Sequence, residues 1–309
     1  SHMNRFIRLR LLAMLLCLPF LLIFISGCGS SSQKKDEPPV YSPLQVLVPE
    51  ATGKETLGSS PMILDVSNIS QGYFIAQSDS SDLTCSLQII SPSGVLYSYF
   101  IAPGESATVT FTEGSGDYTI TGYQQVQGDQ YAALYSETVT VQLENDFLPF
   151  LYPNQYVNFT PDSKASQLAL SLIDEDTVDV DALQQIYDYV VSNLTYDYEK
   201  ADTVTTGYLP DVDETLKTGT GICFDYAALT TAMLRSCDIP CKLQIGYAGD
   251  IKHAWIDVYI RSKGWVNQAV SFKGDTWTLM DPTFDSNSDD KEAIQDYIGD
   301  ESNYTVQFT

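Results

Sequence analysis

The sequence predicts two folded domains of different class, an all-β sandwich followed by an α+β domain, and three observations predict it. Residues 44–147 run in short alternating polar and apolar segments cut by turn residues, the pattern of antiparallel strands. Beyond Pro149 the apolar period becomes helical, and after Pro240 strand-like runs return. At 309 residues and 44% hydrophobic, the chain is long enough for about two such units.

The N-terminus reads as export machinery. Ser1 and His2 precede Met3 and look like a cloning remnant, so Met3 is taken as the natural start and His253 as the only native histidine. Residues 3–28 then form a signal: Arg5, Arg8 and Arg10 flank an apolar run from Leu11 to Ile25, shorter than the roughly 20 residues of a membrane span. Ile25-Ser26-Gly27-Cys28 resembles the bacterial lipobox, which implies that Cys28 carries a diacylglyceryl group and becomes the mature N-terminus. The alternative is a plain signal peptide or an N-terminal anchor helix. Either way the expected location is outside the cytoplasm, and with the lipid it is the extracellular face of a bacterial cell membrane. Residues 29–43, rich in Ser, Lys, Asp, Glu and Pro, are expected to form a flexible tether.

Charge narrows the partners. Without residues 1–27 the chain has 13 Lys plus Arg against 40 Asp plus Glu, a net charge of −27. Such a surface repels phosphate polymers and anionic headgroups, which argues against nucleic acid and peripheral membrane docking. A protein or cell-wall peptide substrate is expected instead, with the lipid as the membrane contact. Of six cysteines, Cys17 lies in the signal and Cys28 at the lipobox; Cys85, Cys223, Cys237 and Cys241 are too few and too scattered for a disulfide framework. Cys237 and Cys241 are near enough to pair, but free buried thiols fit the Ile239-Pro240 context better.

Within residues 44–147, strands are expected at 73–77, 84–90, 95–101, 107–112, 118–126 and 131–143, separated by Ser-Pro-Ser-Gly, Pro-Gly-Glu-Ser, Glu-Gly-Ser-Gly-Asp and Gln-Gly-Asp-Gln. Gly116 to Ile120 resembles the tyrosine-corner region of immunoglobulin-like domains, which implies that kind of sandwich. Nothing in this half points to catalysis.

Residues 148–309 open with helical periodicity at 163–173 and 180–194, where Leu183, Ile186, Tyr187, Val190 and Val191 share a face. The acidic run from Asp174 to Asp181 suggests a metal site at first sight. Acids in a loop and a first helical turn, favoured by the macrodipole, explain it better. A third helix is expected from near Gly221 to about Cys237, ended by Pro240. Strands are expected at 242–247, 254–260, 264–266 and 276–280.

A thiol is a nucleophile as thiolate, and a helix N-terminus stabilises that charge. Cys223, in the first turn of the third helix and preceded by Thr218-Gly219-Thr220-Gly221, is placed for this, and its amide can be one donor to a tetrahedral oxyanion. An imidazole must take and return the proton, and it needs an acceptor to hold its tautomer. His253 is the sole native supplier; Asp281 ends a following strand and is placed to reach back to it. The order Cys, His, Asp is spaced by 30 and then 28 residues. Taken singly, each is more often inert core or satisfied packing; jointly they point to catalysis.

Thr218 to Ala227, Arg235 through Ile239-Pro240, Gly246-Tyr247, His253-Ala254-Trp255, Gly264-Trp265 and Asp281-Pro282-Thr283 resemble the transglutaminase-like superfamily core, over about residues 180–284 and in the family's order. The resemblance implies a papain-like fold core with Cys223 as nucleophile, His253 as general base and Asp281 as its orienter. Papain-type enzymes themselves place the histidine roughly 130 or more residues beyond the cysteine, which disfavours them. The chain departs from the commoner pattern at Cys237-Asp238, where Leu-Gly is more usual, and at Cys241. In the family a second oxyanion donor comes from a side chain upstream of the nucleophile; Tyr208 and Tyr198 are candidates, with buried structural tyrosines as the alternative, and Trp255 is a candidate groove wall. With a single histidine and scattered thiols no metal site is expected, and no cofactor. The expected activity is cleavage of peptide or amide bonds through a thioester acyl-enzyme. The alternatives are a transamidating cross-linker and a catalytically silent surface binding or scaffold module.

Overall fold

The structure is a computed structural model that describes residues 35–205, 207–248, 251–273, 275–280 and 304–308. Cys28, the expected signal and Asp281 lie outside the described residues. The described residues form one compact unit. No helix among the described residues is long and apolar enough to cross a membrane.

The first half contains β1 (Thr56–Ser59), β2 (Met62–Asp65), β3 (Tyr73–Ser78), β4 (Cys85–Ile90), β5 (Leu96–Ile101), β6 (Ser106–Thr110), β7 (Gly116–Gln127) and β8 (Gln130–Val141). They pair antiparallel as two four-stranded sheets, β1-β2-β3-β6 and β5-β4-β7-β8. Alternation puts Met62, Leu64, Phe74 and Ala76 of one sheet and Leu87, Ile89, Tyr118 and Ile120 of the other into one buried cluster. The Tyr118 hydroxyl donates to the Gly114 carbonyl at 2.8 Å and accepts from the Glu113 amide at 3.1 Å, tying the start of β7 to the turn before it. β1 and β2 lie outside the expected strands; Gly58, at φ +78°, faces the Tyr135 ring, where a Cβ would stand 2.5 Å from Cζ.

The second half holds α1 (Lys164–Leu172), α2 (Asp179–Asn193), β9 (Thr195–Tyr196), α3 (Tyr198–Thr203), α4 (Val212–Thr218), β10 (Thr220–Gly221) and α5 (Cys223–Ser236), then β11 (Cys241–Ala248), β12 (Ile251–Ile260), β13 (Gly264–Lys273), β14 (Thr276–Leu279) and β15 (Tyr304–Phe308). The last five form an antiparallel sheet ordered β14-β13-β12-β11-β15. Every residue of α5 is buried, as a helix apolar on all sides demands. It packs against α1, α2 and α4 and against β11, β12 and β13, so it is the central element. The acidic run is read well by the helix-start explanation: Asp179 accepts from Val180 and Arg261 amides, and Asp174 from Asp176 and Thr177.

The halves share buried contacts. Phe147 meets Tyr259 edge-on at 4.5 Å, and Phe150 meets Trp265 edge-on at 5.3 Å between ring centroids. Arg235 is fully buried; its guanidinium donates to the Tyr152 carbonyl at 2.9 Å and twice to the Cys241 carbonyl. The end of the expected tether is tied down rather than free. Arg261 donates to the Pro38 and Pro39 carbonyls, Asn145 to the Glu37 carbonyl and Ser42 to Glu175, and both prolines are buried. Their rings fill a site on the folded unit that composition alone does not reveal.

Candidate active site

Cys223 is the first residue of α5 and is 5% exposed. The chain reaches it through a short parallel ladder that pairs Thr195 with Thr220 and Tyr196 with Gly221. Gly219 ends α4 in the left-handed region at φ +65°, the conformation that glycine adopts without strain. Gly221 has a different reason: a Cβ there would stand 2.6 Å from the Asp225 Cβ. Gly221 is small because Asp225 packs against it.

Asp225 organises the helix start. Fully buried, it accepts from the Ile222 amide at 2.9 Å, pairs with the Lys200 ammonium at 2.9 Å and accepts the Tyr208 hydroxyl. The Lys200 ammonium also lies 4.4 Å from the centre of the Tyr208 ring. Tyr208 therefore spends its proton on Asp225, and burial and that carboxylate push its pKa up strongly. It braces the loop that leads into Cys223. Tyr198 is exposed and donates to Asp275 at 2.5 Å.

Tyr196, which sequence reasoning passes over, is the tyrosine beside the thiol. Burial first, and then the charge of Cys223, push its pKa up to about 12, so its phenol stays protonated and within electrostatic reach of the sulfur. Its place is set by pairing with Gly221 in a two-residue strand too short to carry a pattern.

His253 sits on β12, 6% exposed, opposite Gly246 on β11 and Lys273 on β13. Trp255, two residues on, is buried in the same strand. The next residue after the histidine, Ala254, aligns across the sheet with Phe272 and then Trp277. Tyr226, one turn after Cys223, stacks on Trp277 at 4.0 Å and tilts against Phe272 at 6.1 Å. Through Tyr226 the first turn of α5 packs on Phe272 of β13 and Trp277 of β14. Asp257, on the same strand, is held by the Gln268 amide at 2.8 Å and the Gln244 side chain at 3.1 Å. Among the described residues no group of three or more His, Cys, Asp or Glu is arranged to hold a metal ion. Cys85, Cys237 and Cys241 are free and buried.

The structure thus puts the thiol at the start of a buried helix and the imidazole on a strand of the sheet that this helix packs against, within a mixed α/β domain. Residues 166–282 match the family model described as the Transglutaminase-like superfamily, and that segment is a transglutaminase-like domain. The match of that segment supports an enzyme. Among solved structures, a candidate cysteine protease from Cytophaga hutchinsonii is 17% identical, with 74% of this chain and 86% of that chain covered and a TM-score of 0.33. A protein described as a TGase is 18% identical, covering 34% of this chain and 30% of that one, with a TM-score of 0.27. Red sea bream transglutaminase is 15% identical over 70% of this chain and 49% of its own, with a TM-score of 0.24. No curated protein matches.

Proposed function

We propose that the chain is an extracellular, lipid-anchored cysteine enzyme that opens peptide or amide bonds, with Cys223 as nucleophile, His253 as general base and Asp281 as the group that orients it. The observation that carries this reading is the buried thiol at the first position of α5, a helix that packs against the strand bearing His253. The Cys223 thiolate attacks the carbonyl carbon, and the Cys223 amide is one donor to the oxyanion that forms. Imidazolium returns its proton to the departing amine, leaving a thioester. Water then attacks with His253 as base and releases the acid and the free thiol; an amine in place of water yields a new amide. Hydrolysis of proteins or cell-wall peptides is the favoured outcome. The strand order of the first half and the Tyr118 bridge support an immunoglobulin-like sandwich that presents the enzyme.

Incubating the protein with casein, peptidoglycan peptides and a fluorescent primary amine separates the outcomes. Hydrolysis yields new termini, and transamidation yields a fluorescent adduct. Either product, absent from Cys223→Ala, supports the reading; neither product from any substrate supports the silent scaffold instead.

A further inference from the structure

A feature the proposed chemistry leaves unused is a cavity of about 590 Å³ at the opposite end of α5. One wall is the chain turn after the helix, Cys237 to Pro240; the others are the loop 173–180, Tyr259 to Ser262 and the strap Val40, Tyr41 and Leu44. Five carboxylates line it, from Asp174, Glu175, Asp176, Asp179 and Asp238, against the single guanidinium of Arg261.

Asp238 is the anomaly there. It holds φ +59°, in the left-handed region where glycine is the unstrained choice. It is 7% exposed, and neither carboxylate oxygen has a hydrogen-bonding partner among the described residues. The Gln45 amide and the Arg261 guanidinium lie near enough to favour its charge in part, but outside hydrogen-bonding geometry. A strained backbone and an unpaired buried carboxylate both cost stability, and native proteins keep such groups where something else meets them.

We propose that this cavity is a binding site for a primary alkylammonium, such as a lysine-type side chain, with Asp238 as its counter-ion. Size and ligand count argue against a metal ion: the volume suits an organic group, and the described carboxylates form no metal cluster. The lining suits the stem as well, since Val40, Ile173, Val178, Val180 and Ile239 are apolar beside the acids. A helix of 14 residues separates the two sites, roughly 20 Å at 1.5 Å per residue. The cavity is therefore a second site that grips a cationic part of a ligand, and it stands whether or not Cys223 is catalytic.

Calorimetric titration of the full chain with N-acetyl-lysine methylamide, 1,5-diaminopentane and the Nε-acetylated lysine derivative tests this. The charged probes should bind saturably and the acetylated one at least tenfold more weakly. Tighter binding of the lysine derivative assigns a peptide-borne amine; tighter binding of the diamine assigns a free one, and both support the site. Asp238→Asn and Asp238→Gly should each lose at least tenfold in affinity. The glycine variant relieves the positive φ, so its folding is not at risk, and unchanged alkylation of Cys223 shows that the catalytic end of the helix is intact. Equal binding of the acetylated probe, undiminished binding by Asp238→Gly, or no saturable binding by either amine overturns the proposal.

Discussion

The Tyr226 and Trp277 rings stack 4.0 Å apart and 14° from parallel, joining the first turn of α5 to the edge strand of the sheet. Tyr196 lies 6.0 Å from the same indole, and Phe272 meets it edge-on at 4.6 Å. This aromatic cluster fixes the thiol-bearing turn relative to the histidine-bearing strand. Trp277→Ala should cost about 2–3 kcal/mol in chemical denaturation. It should also slow alkylation of Cys223 more than a distant core truncation of equal cost.

Gly221→Ala tests the packing of the nucleophile loop. The added methyl meets the Asp225 Cβ at 2.6 Å, and Asp225 cannot swing aside because Lys200, Tyr208 and the Ile222 amide all hold it. Overpacking of this kind costs about 1–3 kcal/mol. A drop in unfolding midpoint with a slower Cys223 reaction is the expected result.

Much of this was legible beforehand, and the failures have physical causes. The strands of the sandwich announce themselves because each buries one face, and α5 because its helical register continues until Pro240 forbids it. β13 is expected only to Val266 yet runs to Lys273; Gln268, at φ +51°, sits near a break in register that reads as a turn. α4 has a readable start that the pattern search passes over, with Asp211 accepting from the Asp213 and Glu214 amides. Tyr196 carries no sequence signal at all, because a parallel ladder of two residue pairs puts it beside Gly221. The transglutaminase-like segment was legible from motif blocks in order, since chemistry restricts residue type more tightly than packing does.

Arg235 binds the two halves together without a carboxylate partner. Burial holds its pKa below the usual value, and it survives by three hydrogen bonds to the Tyr152 and Cys241 carbonyls. Arg235→Met strands both carbonyls and should cost about 3 kcal/mol. Calorimetry should show the whole described unit destabilised, since Tyr152 precedes the helices and Cys241 begins the sheet.

Asp238 gives a pH signature. Burial pushes its carboxyl up to about 7 in the folded chain, against the usual value near 3.8. Between those values the folded state holds a proton that the unfolded state has lost, so stability falls as pH rises from about 4 to 7 and this contribution is flat above. Burial holds the neighbouring Tyr41 phenol and Cys237 thiol above that window. Asp238→Asn should therefore gain stability over the parent progressively from pH 4 to 7, measured by thermal unfolding.

The central claim rests on the state of one thiol, and alkylation with iodoacetamide across a pH series, with mass-spectrometric mapping of each cysteine, reads it directly. Cys223 should react near neutral pH, its rate following a thiolate stabilised at a helix start. Cys85, Cys237 and Cys241, whose thiols burial pushes up, to about 12 and about 11 for the last two, should stay unlabelled in the folded protein. A Cys223 that is inert at neutral pH, or that reacts only in the range of an ordinary thiol, contradicts the account.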